Sequence, residues 1–369
     1  MKIVVDKNIP FLKGIIEKYG ETTYLSGSDF STETIKNADV LIVRTVTHFG
    51  QEILGGSAVK LICSATIGYD HIDTDYCDSN GIKWTNAPGC NSGSVQQYIV
   101  SALIQIAHKK GFNLKDKTIG IVGVGNVGSK VAKACEVLGM NVLLNDPPRQ
   151  RAEKSNIFVD LETIKREADI ITFHTPLTKE GVDSTFHLAN DAFFSSLDRK
   201  PIIINSARGG IVDTQAIKDA VKTDKISGII VDCWEKEPNI DLEYMTLADF
   251  ATPHIAGYSA DGKANASRMS LETIANFYDL PKEPIGLIKI PNPDNEIIDL
   301  NNFHADNRIY NTILQTYNLV DDNNNLINNP QDFSLLRGKY PLRREYPAYT
   351  IKNAQQNEID ILSRLGFKY

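Results

Sequence analysis

The sequence has little of what would suit it for export, for a thiolate metal site or for a membrane. Only five cysteines occur in 369 residues, Cys63, Cys77, Cys90, Cys135 and Cys233, with no C-x-x-C pair and no histidines at metal spacing. That scatter argues against a disulfide framework or a bound metal, and suits small buried thiols in a reducing compartment. No apolar run reaches the ~18 residues of a membrane span and no leader-like segment is seen, so a cytoplasmic setting is expected. Basic residues are outnumbered, 39 Lys and Arg against 46 Asp and Glu, for a net charge of −7. No nucleic-acid surface is therefore expected, while a local basic pocket for an anionic small molecule is still compatible. There is no internal repeat.

What is present is a chain with 42% hydrophobic residues, too long for one ordinary core. Its centre is Thr118-Ile119-Gly120-Ile121-Val122-Gly123-Val124-Gly125-Asn126-Val127-Gly128, an apolar β-branched run leading into G-x-G-x-x-G. Such spacing fits a strand turning into a helix beneath a pyrophosphate: Gly123 for the turn, Gly125 for close approach of the phosphates, Gly128 for helix–strand packing. The helix N-terminus, from Asn126 and Val127, offers free N–H groups to the anion. Asp146, 18 residues beyond Gly128, ends the next strand and is placed to accept the ribose hydroxyls, which favours NAD. Arg149 nearby leaves NADP as the alternative.

Strand and helix signals alternate on either side of this stretch. Lys2–Asp6, Ala38–Arg44 and Val59–Ala65 are expected strands, Gly81–Gly89 a further short strand and a turn, with a helix over Phe11–Tyr19. After the glycines, Asn141–Asp146, Ile170–His174, Ile202–Asn205 and Ile226–Asp232 are further strands, for a sheet of about six. The fold class is therefore α/β, with two doubly wound parallel-sheet domains, one flavodoxin-like and one Rossmann. The division expected is 1–92 with a return helix at 258–280, then 93–257 for the dinucleotide, then a small α+β domain over 281–369. In that last part His304–Leu319 and Glu358–Leu365 are expected helices, Ala348–Ile351 a strand, and Asp321–Asn325 a polar loop.

Three polar groups follow strands of the second half. Arg208, after Ile202–Asn205, suits a substrate carboxylate, which it can grip with two parallel hydrogen bonds. His254 is a natural general base for an alcohol proton, and Glu237 or Glu235 could orient its ring.

Together, Gly123–Gly128, Asn205–Gly210, Asp232–Pro238 and Thr252–Gly257 resemble the D-isomer-specific 2-hydroxyacid dehydrogenases. That resemblance implies NAD as cofactor and a catalytic set of Arg208, Glu237 and His254, choosing Glu237 over Glu235. A narrower resemblance, to members acting on a phosphorylated 2-hydroxy acid, rests on Val5–Pro10, Val43–Thr47, Ala87–Asn91, Asn145–Arg149, His254–Ser259 and Leu342–Glu345. It implies substrate contacts from Thr45, Thr66 and Tyr258, cofactor contacts from Asp146, Thr175, Asp232 and Gly257, with Ala207 beside them, and a homodimer through the C-terminal domain. For the substrate phosphate Arg44 is the first candidate, with Arg343 and Arg344 behind it. Gln97 departs from the wider family, which often has glutamate there. A 3-phosphoglycerate-class dehydrogenase and a non-catalytic NAD-sensing protein are the competing readings.

Overall fold

The computed structural model describes all residues, Met1–Tyr369. Two compact units are formed: Met1–Asn91 with Ser259–Asn292, and Ser92–Tyr258 with Pro293–Tyr369. Residues Pro293–Tyr369 thus fall in the same compact unit as the dinucleotide sheet.

The first unit is built on β1 (Lys2–Asp6), β2 (Glu21–Leu25), β3 (Val40–Val43), β4 (Leu61–Ser64) and β5 (Lys83–Thr85). All pairs are parallel, in the order β2-β1-β3-β4-β5. This is the flavodoxin-like order, whose switch point lies between β1 and β3. Strands β3 and β4 are buried along their whole length, as unbroken apolar runs covered on both faces must be. Ile3, Val5, Ile42 and Leu61 pack against Leu271 and Ile274 of the returning Ala260–Phe277 helix. Burying each such side chain contributes about 1.5–3 kcal/mol. The helix expected over Phe11–Tyr19 is reduced to one tight turn at Ile16–Lys18. Phe11 and Gly14 both take positive φ, 66° and 84°, which a right-handed helix does not allow.

The second unit carries β6 (Thr118–Val122), β7 (Asn141–Asn145), β8 (Ile170–Phe173), β9 (Ile202–Asn205), β10 (Gly228–Val231) and β11 (Phe250–Ala251). Their order is β11-β10-β9-β8-β6-β7, again all parallel. A single bridge, Leu144 to Phe158, stands beyond β7 where a dinucleotide fold has its outermost strand. Ser92–Lys110 forms a 19-residue helix with thirteen buried residues, apolar nearly all round because it runs through the core. The C-terminal segment adds helices Arg308–Thr316, Leu319–Asn328, Phe333–Gly338 and Gln356–Leu365, and a two-stranded parallel pair, β12 (Ile297–Asp299) and β13 (Thr350–Lys352).

The expected polar loop Asp321–Asn325 is instead helical. Two of its polar residues look inward and are satisfied there: Asn323 accepts from the Ala251 N–H at 2.8 Å, and Asp322 accepts from the Tyr317 and Tyr340 hydroxyls at 2.9 and 2.7 Å, while Asp321, Asn324 and Asn325 face solvent. Leu319 and Leu326 bury the same face. Such pairing between distant segments leaves no local trace. No helix is long and apolar enough to cross a membrane.

Candidate active site

The carboxyl ends of β6, β8, β9, β10 and β11 form one edge of the second sheet, and nearly all the chemistry-bearing residues of this unit lie along it. At β6 the three glycines do three different things. Gly123 has φ +89°, and a Cβ there would lie 2.8 Å from the His174 carbonyl carbon and the Thr175 nitrogen. Gly128 admits no Cβ either, since one would sit 2.0 Å from the Gly123 carbonyl oxygen. A Cβ on Gly125 would meet nothing, so its small size leaves room for a ligand. Gly125 and Asn126 are exposed and Val127 partly so, which leaves the start of the Asn126–Val137 helix open to an anion.

Asp146 fixes this loop, accepting the Val124 N–H at 2.8 Å and the Arg149 N–H at 3.0 Å. Arg149 is paired with Glu153 at 2.6 Å, so it is not a dedicated partner for a second phosphate. Among the buried hydroxyl oxygens that lack a partner, two follow strands of this edge: Thr175 Oγ1 after β8 and Ser206 Oγ after β9. Orphaned hydroxyls along the edge that carries an open glycine cradle fit a bound dinucleotide, whose polar groups would satisfy them.

After β9, Asn205 pins the loop at both ends. It donates from Nδ2 to the Arg208 carbonyl at 3.0 Å and accepts the Ala207 N–H at 3.2 Å. Gly209 lies so close to the Trp234 carbonyl that a Cβ would be 2.0 Å away, which packs the Arg208 loop onto the loop after β10. Arg208 is half-buried and its Nη1 donates to the Ala207 carbonyl at 2.8 Å.

In the loop after β10, Glu237 accepts the Trp234 N–H at 2.9 Å and faces His254. His254 Nδ1 donates to the two Glu237 oxygens at 2.8 and 3.0 Å, which fixes the tautomer and leaves Nε2 as the proton acceptor. Burial alone would raise the Glu237 pKa. The hydrogen bond and charge of His254, with the Trp234 N–H and Arg337, outweigh it and hold the carboxyl below its ordinary range. His254 itself sits at φ +57°, an uncommon conformation for a residue with a side chain.

Asp232 enforces that conformation. It is 1% exposed and accepts the Thr252 hydroxyl at 2.6 Å and the N–H groups of Ile255 and Ala256 at 2.8 and 3.0 Å. With its hydroxyl proton so used, Thr252 accepts from Tyr98 at 2.8 Å. Burial pushes the Asp232 pKa up, against these bonds and the charge of His254. Glu235, the rival of Glu237, turns elsewhere, to His187 at 2.8 Å and the Thr214 N–H at 3.0 Å.

Cys233 also has its sulfur within 4.8 Å of donor atoms of Glu237 and His254. Burial and the neighbouring Asp232 and Glu237 charges hold that thiol well above its ordinary pKa, so it is a poor thiolate ligand.

In the first unit, Arg44 follows β3 and pairs through Nε with Asp6, at the end of β1, at 3.1 Å. Thr45 is exposed, and Thr66 after β4 shares a 2.7 Å hydrogen bond with Ser64 while donating to the Gly68 carbonyl at 2.9 Å.

Two residues of the C-terminal segment reach the His254 loop without having been expected there. Arg337 lies 3.8 Å from Glu237 Oε2, with its guanidinium 5.7 Å from the centre of the Tyr258 ring. Arg343, expected as a second phosphate candidate, is buried and donates from Nη2 to the carbonyls of Ile255 and Ala256. Arg344 is buried as well. Gln97 donates to the Arg344 carbonyl at 2.9 Å and Thr316 Oγ1 at 3.1 Å, bonds that an ionised glutamate could not give.

Residues 95–256 match the model of the D-isomer specific 2-hydroxyacid dehydrogenase family, NAD binding domain, and residues 289–366 match a domain of unknown function, DUF3410. The chain is 49% identical over 352 residues to an erythronate-4-phosphate dehydrogenase of Bacteroides thetaiotaomicron, covering 95% of this chain and 99% of that one. It is 45% identical to the enzyme of that name from Porphyromonas gingivalis, over the full length of both. Among solved structures, an NAD-bound 3-phosphoglycerate dehydrogenase of Entamoeba histolytica has a TM-score of 0.64 at 29% identity, covering 79% of this chain and 97% of that one. An Aquifex aeolicus D-lactate dehydrogenase complexed with NAD and lactic acid gives 0.62 at 26%, over 79% and 100%. The chain belongs to the erythronate-4-phosphate dehydrogenases, within the D-isomer-specific 2-hydroxyacid dehydrogenases.

Proposed function

We propose that the chain oxidises C2 of 4-phospho-D-erythronate to (R)-3-hydroxy-2-oxo-4-phosphooxybutanoate, a step toward pyridoxal 5′-phosphate. The observation that carries this reading is the Glu237–His254 pair, in which the carboxylate engages Nδ1 and leaves Nε2 as the ring atom open to a substrate proton. NAD supplies the hydride acceptor when bound, with Gly123, Gly125, Asn126, Val127 and Gly128 for its pyrophosphate and Asp146 for its ribose. Thr175, Ala207, Asp232 and Gly257 are assigned to the rest of the cofactor; for Thr175 the unpartnered hydroxyl supports this.

Arg208 holds the C1 carboxylate and the C2 oxygen of the substrate. His254 takes the hydroxyl proton at Nε2 as the C2–H bond breaks, and Glu237 stabilises the imidazolium that results. The phosphate is assigned to Arg44, with Thr45, Thr66 and Tyr258 as further substrate contacts. Two facts support Arg44 over Arg343: its side chain is 32% exposed and braced by Asp6, whereas Arg343 is buried with its Nη2 held by loop carbonyls. A cytoplasmic homodimer completes the reading, supported by five free buried cysteines and by exposed Ile327, Leu335 and Leu342 on the C-terminal segment.

A substrate panel with NAD tests it. kcat/KM for 4-phosphoerythronate is expected to exceed that for 3-phosphoglycerate by at least about tenfold, and that for D-lactate, which lacks the phosphate, by far more. Preference for 3-phosphoglycerate would replace the substrate assignment, and inactivity with all three would favour the NAD-sensing alternative.

A further inference from the structure

The loop that carries His254 is held from two sides. On one side Asp232 takes the N–H groups of Ile255 and Ala256. On the other, Arg343 donates from Nη2 to the carbonyls of the same two residues, at 3.3 and 2.6 Å. The peptide between Ile255 and Ala256 is thus fixed at both ends, its N–H by Asp232 and its carbonyl by Arg343, while the peptide before it is held by Asp232 and the one after it by Arg343.

Arg343 is itself firmly placed. It is 5% exposed, and its guanidinium lies 4.3 Å from the centre of the Tyr317 ring and 5.8 Å from that of Tyr340. Both of those tyrosines donate their hydroxyls to Asp322. Asp322 is half-buried, and the charge of Arg343 is one of the influences that opposes the upward push of burial on its pKa. The backbone on the far side of Arg343 is tied to the Ser92–Lys110 helix. Gln97 donates to the Arg344 carbonyl, Ser94 donates to Glu345 at 2.9 Å, and Gly93 lets that carboxylate approach to where a Cβ would be 2.1 Å away. The edge of the Tyr258 ring also meets Tyr340, at 5.8 Å between centres.

A buried arginine with Nε and Nη1 unbonded is a costly way to hold two carbonyls. A bulky apolar residue would fill the space without that cost, but it could not fix the carbonyls. We propose that Arg343 is a positioning residue for catalysis: from the C-terminal segment it sets the loop geometry that aims His254 and Tyr258. This gives the segment of unknown function a part in the chemistry, and it rests on His254 being the base.

The test compares full-length Arg343→Met and Arg343→Lys with the parent, and with His254→Gln in the same assay. NADH titration counts the folded sites, and kcat is expressed per NADH-binding site. Arg343→Met is expected to lower kcat per site ten- to a hundredfold while NADH affinity changes less than threefold, and Arg343→Lys is expected to recover part of the loss. A merely structural role would remove NADH sites and turnover together, leaving kcat per site unchanged. A fall per site of less than threefold overturns the proposal, judged on Arg343→Lys if the Met variant binds no NADH. An active His254→Gln enzyme would instead overturn the assignment of the base, whatever the Arg343 variants do.

Discussion

Replacing His254 by glutamine is expected to lower kcat by at least about a hundredfold, the ordinary worth of a positioned general base. In free energy this is about 3 kcal/mol of transition-state stabilisation or more. Glutamine keeps an amide near the position of the ring and preserves most of the volume, but it offers no basic nitrogen at neutral pH. So large an effect follows from the geometry of the loop. His254 Nδ1 is engaged by both oxygens of Glu237, and Asp232 holds the following two N–H groups, so Nε2 is the one basic atom this loop presents. NADH affinity should hardly change, because the glycine cradle follows a different strand, β6. Steady-state turnover and NADH titration on the same preparation check both halves. Near-normal turnover would remove His254 from the mechanism.

Arg208→Lys is expected to cost roughly 10- to 100-fold in kcat/KM although the charge is kept. The loop would not move, since Asn205 fixes it on both sides and Gly209 is wedged against Trp234. Only the head group changes, from a planar fork that can grip a carboxylate with two parallel bonds to a single ammonium. One charge-assisted hydrogen bond contributes about 1.5–3 kcal/mol, which sets the size of the loss. If Arg208 also polarises the C2 oxygen, kcat falls along with the rise in KM. A kcat/KM within threefold of the parent would remove the carboxylate from Arg208.

Much of the architecture was legible before any coordinates, and the reasons are local. Strands β3, β4, β6, β8 and β9 are short apolar runs that only a parallel sheet covered on both faces explains. The roles of Gly123, Gly125 and Gly128 follow from one motif whose steric logic spans six residues. Elements decided by distant partners were not legible. The Asp321–Asn325 stretch has the composition of a loop and becomes a helix because Ala251, Tyr317 and Tyr340 satisfy Asn323 and Asp322. The helical pattern of Phe11–Tyr19 is broken by two positive φ angles. Arg337 and Arg343 stand more than 75 residues from the loop they touch, in a basic and aromatic stretch that looks like any surface. For the same reason, sequence alone offered Arg343 as a second phosphate candidate and gave no sign of its burial against the carbonyls of Ile255 and Ala256.

The central claim is that this sheet edge breaks the C2–H bond of a 2-hydroxy acid and passes its hydrogen to NAD. The most direct measurement uses 4-phosphoerythronate carrying deuterium at C2, with mass analysis of the reduced cofactor formed by the parent enzyme. Reduced cofactor that is one mass unit heavier, carrying the deuterium, is the result predicted. Unlabelled NADH, with the deuterium retained in the product or lost to water, would contradict it.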